Sequence, residues 1–124
     1  MIALLIFCAG GLGAALRFVV DSYFKAYLCT RLPLGVFFIN VTGSLFLGLL
    51  TGVITQNQAS DLSEGLGLVL GAGFLGGYTT FSTALLEAVT HPGKAGPLIL
   101  VLLQAVCASL AAALGLIVGG SLAI

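Results

Sequence analysis

The sequence predicts an all-α membrane protein with four transmembrane helices, and three observations lead to this fold class. First, 60% of the 124 residues are hydrophobic and only 6% are charged, whereas an ordinary globular domain carries about 25% charged residues. Second, a membrane crossing needs roughly 20 apolar residues, and the charges leave four long intervals free: 1–16, 32–60, 65–86 and 95–124. Third, four crossings use about 80 positions, so residues 1–124 are expected to form a single membrane domain.

The first predicted span covers residues 2–20. It resembles the apolar core of a signal peptide, but no basic segment precedes it and no convincing small-residue cleavage site follows it, so we expect it to be retained. The next stretch, 21–33, mixes charged residues with tyrosines, a composition typical of the membrane interface. Pro33 then marks the start of the second span.

The second predicted span, 34–54, has one face of small and hydrogen-bonding residues. Steps of four, four and three residues place them on one side of a helix: Asn40, Ser44, Gly48 and Thr51. Gly48 and Gly52 also form a GxxxG match, a pattern that lets helices approach closely. The face predicts either a packing seam or a functional surface, because an asparagine side chain inside a span needs a hydrogen-bond partner or has a functional role.

The third predicted span, 66–86, contains a sequence that disfavours a regular helix. Gly76 and Gly77 are followed by the β-branched Thr79 and Thr80, which makes a poor helix interior. We therefore predict a break near this point, where irregular backbone must be buried by protein or meet a watery cavity. Freed carbonyls could bind a cation and freed N–H groups an anion. A kinked packing helix is the alternative.

The fourth predicted span, 98–118, follows a connection rich in proline and glycine at 87–97. One of its faces is a stripe of small residues with one polar member: Gln104, Ala108, Ala112, Gly115 and Gly119. Such a stripe favours close helix packing.

The basic residues all fall on one side of the predicted membrane domain. Lys25 and Arg31 lie in the first connection, Lys94 lies in the third, and Arg17 is near the same end of the first span, while the second connection, 55–65, has neither Lys nor Arg. The positive-inside rule then places the first and third connections in the cytoplasm and both termini outside. Arg17 either anchors this topology or attracts an anion into a vestibule.

Several function classes lack the residues that they require. An enzyme is not expected, since there is no Ser-His-Asp set, carboxylate pair or phosphate-binding loop, and Cys8, Cys29 and Cys107 do not have metal-ligand spacing. Four basic residues without a patch do not indicate nucleic-acid binding. A small multidrug transporter, which exports cations by proton exchange, would need a carboxylate within a span, and the predicted spans contain none.

Three segments, 10–18, 40–48 and 73–83, match in order and spacing a family of small bacterial fluoride channels. The chain resembles this family over essentially its whole length. The resemblance implies an antiparallel, dual-topology dimer in the bacterial inner membrane, which lets fluoride leave the cell and lowers its toxicity. It also implies a structural sodium ion, not transported, at the centre of the dimer between two narrow fluoride pores.

The resemblance further implies roles for the matched residues. The carbonyls of Gly76 and Thr79 would hold the sodium ion. Asn40 would donate hydrogen bonds to fluoride, and Phe81 would present its ring edge, which carries partial positive charge. Neutral donors can replace the water around fluoride without holding the ion too tightly. Nearby hydroxyls would come from Thr80, Ser82 and Thr83.

Two departures from the family pattern bear on the pore. Ala84 stands where the family has a second pore phenylalanine. The family's tyrosine and serine track on the fourth span is not reproduced by the candidates present, Gln104, Cys107 and Ser109. Together with the one-sided charges, these departures suggest an alternative to the homodimer: a non-conducting or half-active subunit that pairs with an oppositely oriented paralogue in a heterodimer.

Overall fold

The computed structural model describes residues 1–27, 34–56, 61–90 and 95–122. Within these ranges the chain is helical except at residue 1 and at 79–81. Four residues used in the sequence analysis lie outside them, namely Cys29, Arg31, Pro33 and Lys94. The elements in chain order are α1 (Ile2–Tyr27), α2 (Leu34–Gln56), α3 (Asp61–Gly67), a π-helix (Leu68–Leu75), α4 (Gly76–Tyr78), α5 (Ser82–Thr90) and α6 (Ala95–Leu122).

Four helical stretches are long and apolar enough to cross a membrane, which confirms the predicted all-α fold with four spans. They are Ile2–Tyr27, Leu34–Gln56, Asp61–Leu86 and Leu98–Leu122. Helix α1 continues beyond residue 20, so the first part of the stretch expected at the membrane interface is helical. One turn apart on α1, Lys25 Nζ lies 2.9 Å from Asp21 Oδ2.

Helices α2 and α6 form the most extensive interhelical contact, and glycines bring their backbones together. A Cβ atom at Gly48 would overlap the carbonyl oxygen of Ala112. A Cβ atom at Gly52 would lie 2.7 Å from the backbone nitrogen of Gly120, and one at Gly115 would lie 2.8 Å from that of Leu49. The predicted packing seam therefore exists, with glycines on both helices.

One member of the predicted face of α2 is not part of this seam. Thr51 is exposed, and its hydroxyl donates to Leu47 O on its own helix at 2.8 Å. The buried residue at this level is Gly52. The prediction of a buried Thr51 was wrong because it took a step of three residues from Gly48, whereas a step of four reaches the buried Gly52.

A second glycine contact joins α1 to the π-helix and α4. A Cβ atom at Gly13 would lie 2.9 Å from the backbone nitrogen of Tyr78, and one at Gly77 would lie 2.9 Å from Cα of Gly10. A Cβ atom at Gly73 would lie 2.9 Å from Ile6 O. The glycines near residues 10 and 73 to 77 thus serve close backbone packing between the first and third spans.

The predicted break in the third span is present, but it lies slightly later than the two glycines. Gly76 is helical, with φ −62° and ψ −38°, and the helix continues through Tyr78. Thr79 then turns to an extended conformation, with φ −78° and ψ 153°, and helix α5 begins at Ser82. Gly77 is used for packing against Gly10 rather than for breaking the helix.

The direction of insertion can be tested with reporter fusions at the carboxyl end. The antiparallel dimer that the resemblance implies needs copies in both orientations, so we expect a C-terminal alkaline phosphatase fusion and a C-terminal green fluorescent protein fusion both to be active in a bacterial host. The phosphatase signal should be the stronger, because the basic residues favour a cytoplasmic first and third connection, and moving basic residues into the second connection is the control that should shift the balance toward green fluorescence. A dark green fluorescent protein fusion on the unaltered chain would instead show insertion in one direction, so that an antiparallel partner would have to be a paralogue.

Candidate functional site

The backbone at the break is held by one side chain from another helix. Asn40 on α2 accepts a hydrogen bond from Thr80 N through Oδ1 at 2.7 Å. Its Nδ2 donates to Thr80 O at 2.6 Å. Both residues are buried, where an unpaired backbone polar group is costly. Asn40 thus supplies the two hydrogen bonds that Thr80 loses by leaving the helix.

A glutamine from the fourth span completes this cluster. Gln104 on α6 is 4% exposed, and its Oε1 accepts a second hydrogen bond from Asn40 Nδ2. Among the residues that the structure describes, its Nε2 is the one buried side-chain nitrogen or oxygen atom without a hydrogen-bond partner. Three spans therefore meet at a buried amide pair beside the broken helix.

A cavity of about 220 Å³ lies against the break and the amide pair. Phe81 is 63% exposed, and the ring belongs to the lining. The lining residues are Asn40, Ser44, Thr79, Thr80, Phe81, Val101, Gln104, Ala105 and Ala108. They are neutral, so the cavity offers hydroxyl, amide and aromatic groups rather than charged ones.

The hydroxyls of the break contact one another at the start of α5. Thr80 Oγ1 donates to Thr83 Oγ1 at 3.2 Å and lies 3.3 Å from Ser82 Oγ. Thr83 N donates to Thr80 Oγ1 at 3.3 Å. Thr80 therefore caps α5, whose first turn carries the partial positive charge of a helix N-terminus.

Arg17 reaches the break from α1. It is half-buried, and its Nη1 donates to Thr79 O at 3.4 Å. A second cavity, of about 350 Å³, is lined by Ala14, Arg17, Phe18, Asp21, Val36, Thr80 and Thr83. The guanidinium thus contacts both a cavity and the broken helix.

The two carbonyls expected to hold sodium both lose a helical hydrogen bond at the break, but Thr79 O also accepts a hydrogen bond from the positively charged Arg17, so that Gly76 O fits the task better. The Thr80 amide that would bond to Gly76 O in a regular helix donates to Asn40 instead. The Thr83 amide that would bond to Thr79 O donates to Thr80 Oγ1. Carbonyl oxygens released in this way are the ligands that coordinate sodium at broken transmembrane helices. Gly76 also lies on an exposed face of the chain.

The two sequence departures have clear structural counterparts. Ala84 is 1% exposed and packs with Val36 and Val101 in the hydrophobic core, so this position faces protein. Ser109 is exposed, and its hydroxyl donates to Ala105 O on its own helix at 2.8 Å. Neither Ser109 nor Cys107 lines the cavity beside the break. Of the candidates on the fourth span, Gln104 alone does so.

The sequence analysis predicted a packing stripe around Gln104 and missed its hydrogen bond with Asn40. The sequence does contain an observation that points to this pair. Asn40 and Gln104 are the two side-chain amides in the interiors of the predicted spans, and amides within a membrane are expected to pair across helices.

Comparison with known proteins shows the family to which the chain belongs. The profile of a family described as CrcB-like protein, Camphor Resistance (CrcB), matches residues 4–121. The chain belongs to the CrcB family. A relative in Cutibacterium acnes, fluoride-specific ion channel FluC 2, is 42% identical over 114 residues, which are 90% of this chain and 91% of that protein.

Other CrcB relatives carry similar names. Fluoride-specific ion channel FluC 1 of Leifsonia xyli subsp. xyli is 45% identical over 89 residues, covering 72% of this chain and 63% of that protein. FluC 2 of a Bacillus cereus strain is 42% identical over 87 residues, covering 70% and 68%. Membership of the CrcB family confirms the resemblance noted from the sequence. With the four helices, it identifies a multi-pass membrane protein, and the names of its relatives confirm a channel family rather than an enzyme.

Proposed function

We propose that this chain forms a fluoride-specific channel through which fluoride leaves the bacterial cell. The observation that carries the proposal is the buried break in the third span, held open by Asn40 beside a neutral cavity. The names of the CrcB relatives supply the ion.

The cavity suits a small, strongly hydrated anion. Amide and hydroxyl groups can replace water as donors, and the edge of the Phe81 ring adds partial positive charge. The N-terminus of α5 contributes a helix dipole, and Arg17 adds a full charge at the second cavity. Neutral groups at the narrow point would let the anion leave as easily as it enters.

We further propose that two copies assemble in opposite orientations around a sodium ion. The carbonyls of Gly76 and Thr79 from each copy would hold it. When bound, sodium would supply a fixed positive charge near both pores. The exposed position of Gly76 and the release of its carbonyl from helical bonding support this arrangement, in which Arg17 would have to release Thr79 O.

One observation favours a second candidate, a half-active or non-conducting subunit of a heterodimer. Ala84 is buried between Val36 and Val101, so the pore lacks the second ring that the family pattern contains. An oppositely oriented paralogue would then supply a complete pore.

Fluoride efflux from liposomes that contain the purified chain alone tests both candidates. We expect fluoride efflux without chloride efflux, and Phe81→Ile should reduce the rate by at least about tenfold, as a loss of about 1.4 kcal/mol predicts. Phe7→Ile is the matched control, because Phe7 is 78% exposed on α1 and lines neither of the two cavities described above. A folded sample could show no fluoride efflux alone and conduct fluoride only with an oppositely oriented paralogue. That result would replace the homodimer with the heterodimer.

A further inference from the structure

A third cavity, of about 350 Å³, lies between α2 and the first part of the third span. Sites for small molecules commonly have volumes of about 300–1,000 Å³, so the cavity can hold a small molecule or part of a lipid chain. Thr51 lines it, and about 16 Å of helix separate Thr51 from Asn40. The cavity is therefore distant from the break and adjoins the second connection.

The two walls of this cavity are helix faces that are mostly apolar. The wall on α2 follows helical spacing and consists of Leu47, Leu50, Thr51, Ile54 and Thr55. The facing wall on the third span consists of Glu64, Gly67 and Leu68. The π-helix packs more extensively on α1 than on α2, and Leu47 and Leu68 remain exposed. The cavity is therefore a largely apolar groove on the surface of the helical domain.

The polar side chains of the groove offer hydrogen-bond acceptors to a ligand. The hydroxyl of Thr51 donates to Leu47 O at 2.8 Å, and that of Thr55 donates to Thr51 O at 2.8 Å. Since each hydroxyl has one hydrogen, these two oxygens can only accept from a bound group. An ionised carboxylate also only accepts, and Glu64 is the one charged residue among the described residues of the lining.

A primary ammonium group is the chemical complement of these acceptors. It carries a positive charge and three N–H donors, and it has no acceptor. A quaternary ammonium has no N–H donor. Anionic lipid headgroups are recognised by clusters of Lys and Arg, and the second connection, 55–65, contains neither. The charge and the acceptors at the groove therefore select an ammonium headgroup, and the apolar walls select an acyl chain.

We propose that this groove binds a phospholipid with a primary ammonium headgroup, phosphatidylethanolamine. The ammonium group donates to Glu64, Thr51 and Thr55, and an acyl chain lies along the leucines of the two walls. Glu64, Gly67 and Leu68 line neither of the cavities at the break. The site is thus separate from the proposed fluoride path and does not depend on it.

Native mass spectrometry of the full chain measures the headgroup preference. Dioleoyl phosphatidylethanolamine, phosphatidylcholine and phosphatidylglycerol are titrated separately, so that the acyl chains are the same. We expect phosphatidylethanolamine to bind about fivefold more tightly than phosphatidylcholine, as a partly exposed ion pair near the upper end of its usual strength provides. Phosphatidylglycerol should bind more weakly than phosphatidylethanolamine as well.

Glu64→Gln should remove the preference for phosphatidylethanolamine. Asp61→Asn is the matched control, because Asp61 is an exposed carboxylate on the same helix that does not line the groove, and its preference should equal that of the unaltered chain. Equal affinities of the unaltered chain for the three lipids would overturn the inference. So would a preference that persists in Glu64→Gln.

Photolabelling locates the acyl chain. Phosphatidylethanolamine with a diazirine in one acyl chain should label Leu47–Ile54 or Leu68 in lipid nanodiscs. A Cβ atom at Gly67 would lie 2.6 Å from Ile54 Cδ1, the flexible end of a side chain. Gly67→Leu therefore fills the groove and should lower this labelling by at least about threefold through lost apolar contact. Gly11→Leu, on the open face of α1, should leave it unchanged.

A second copy of the chain is the other possible occupant of the groove, and the same spectra distinguish it because they resolve single chains from assembled copies. We expect phosphatidylethanolamine on both species. Lipid bound to single chains and absent from assembled copies would assign the groove to contact between copies and overturn the inference. Labelling confined to helices outside the groove would also overturn it.

Discussion

Replacing Asn40 by aspartate is expected to abolish fluoride efflux and to lower the free energy of unfolding by about 2–5 kcal/mol. The carboxylate could still accept from Thr80 N, but it could not donate to Thr80 O or to Gln104 Oε1, which Asn40 Nδ2 now satisfies. Two acceptors would face a buried negative charge, and the same charge would repel an anion from the adjoining cavity.

Efflux from liposomes and reversible unfolding in mixed micelles measure the two effects. Gln56→Glu makes the same exchange of amide for carboxylate at the exposed end of α2, and we expect it to change neither quantity appreciably. An Asn40→Asp chain as stable as the unaltered protein would show that the amide does not hold the break.

Replacing Gly48 by leucine is expected to separate α2 from α6 and to lower the free energy of unfolding by about 2–4 kcal/mol. Any Cβ at this position would overlap Ala112 O and would lie 3.0 Å from Leu116 N. These are backbone atoms, which cannot rotate away as the end of a side chain can. Asn40 and Gln104 lie on the same two helices, so fluoride efflux should fall with stability.

Gly11→Leu is the matched control for this substitution. Gly11 is exposed on α1, and a Cβ atom there would have no neighbour within 4 Å. Since leucine also has the higher helix propensity, Gly11→Leu should be neutral or slightly stabilising. Equal losses for the two variants would show that the contact between α2 and α6 has no special role.

Much of the architecture could be predicted because a membrane constrains sequences strongly. The charge-free intervals predict four crossings, and the small residues at Gly48, Gly115 and Gly119 predict a seam that the structure contains. The break could also be anticipated from Gly-Gly followed by threonines. Its exact place could not, because Gly77 belongs to the contact with Gly10, and local propensity does not record tertiary contacts.

Other features were hidden for similar reasons. The π-helix at Leu68–Leu75 has nearly the same apolar composition as an α-helix, so hydropathy does not distinguish the two. The role of Asn40 as an anion donor is implied by the resemblance and remains a prediction. The hydrogen bond from Asn40 to Gln104 joins residues 64 positions apart, so only the structure shows which hydrogens of Asn40 are already donated.

The contact between α2 and α6 also has a consequence for biosynthesis. Helix α2 leaves the ribosome before either of the partners of Asn40 exists, and its packing partner α6 is the last helix described. Until then the amide must be accommodated by lipid headgroups, by water at the translocon or by a chaperone. The nascent chain should therefore be most vulnerable to membrane proteases before α6 is inserted, and truncation within α6 should lead to degradation.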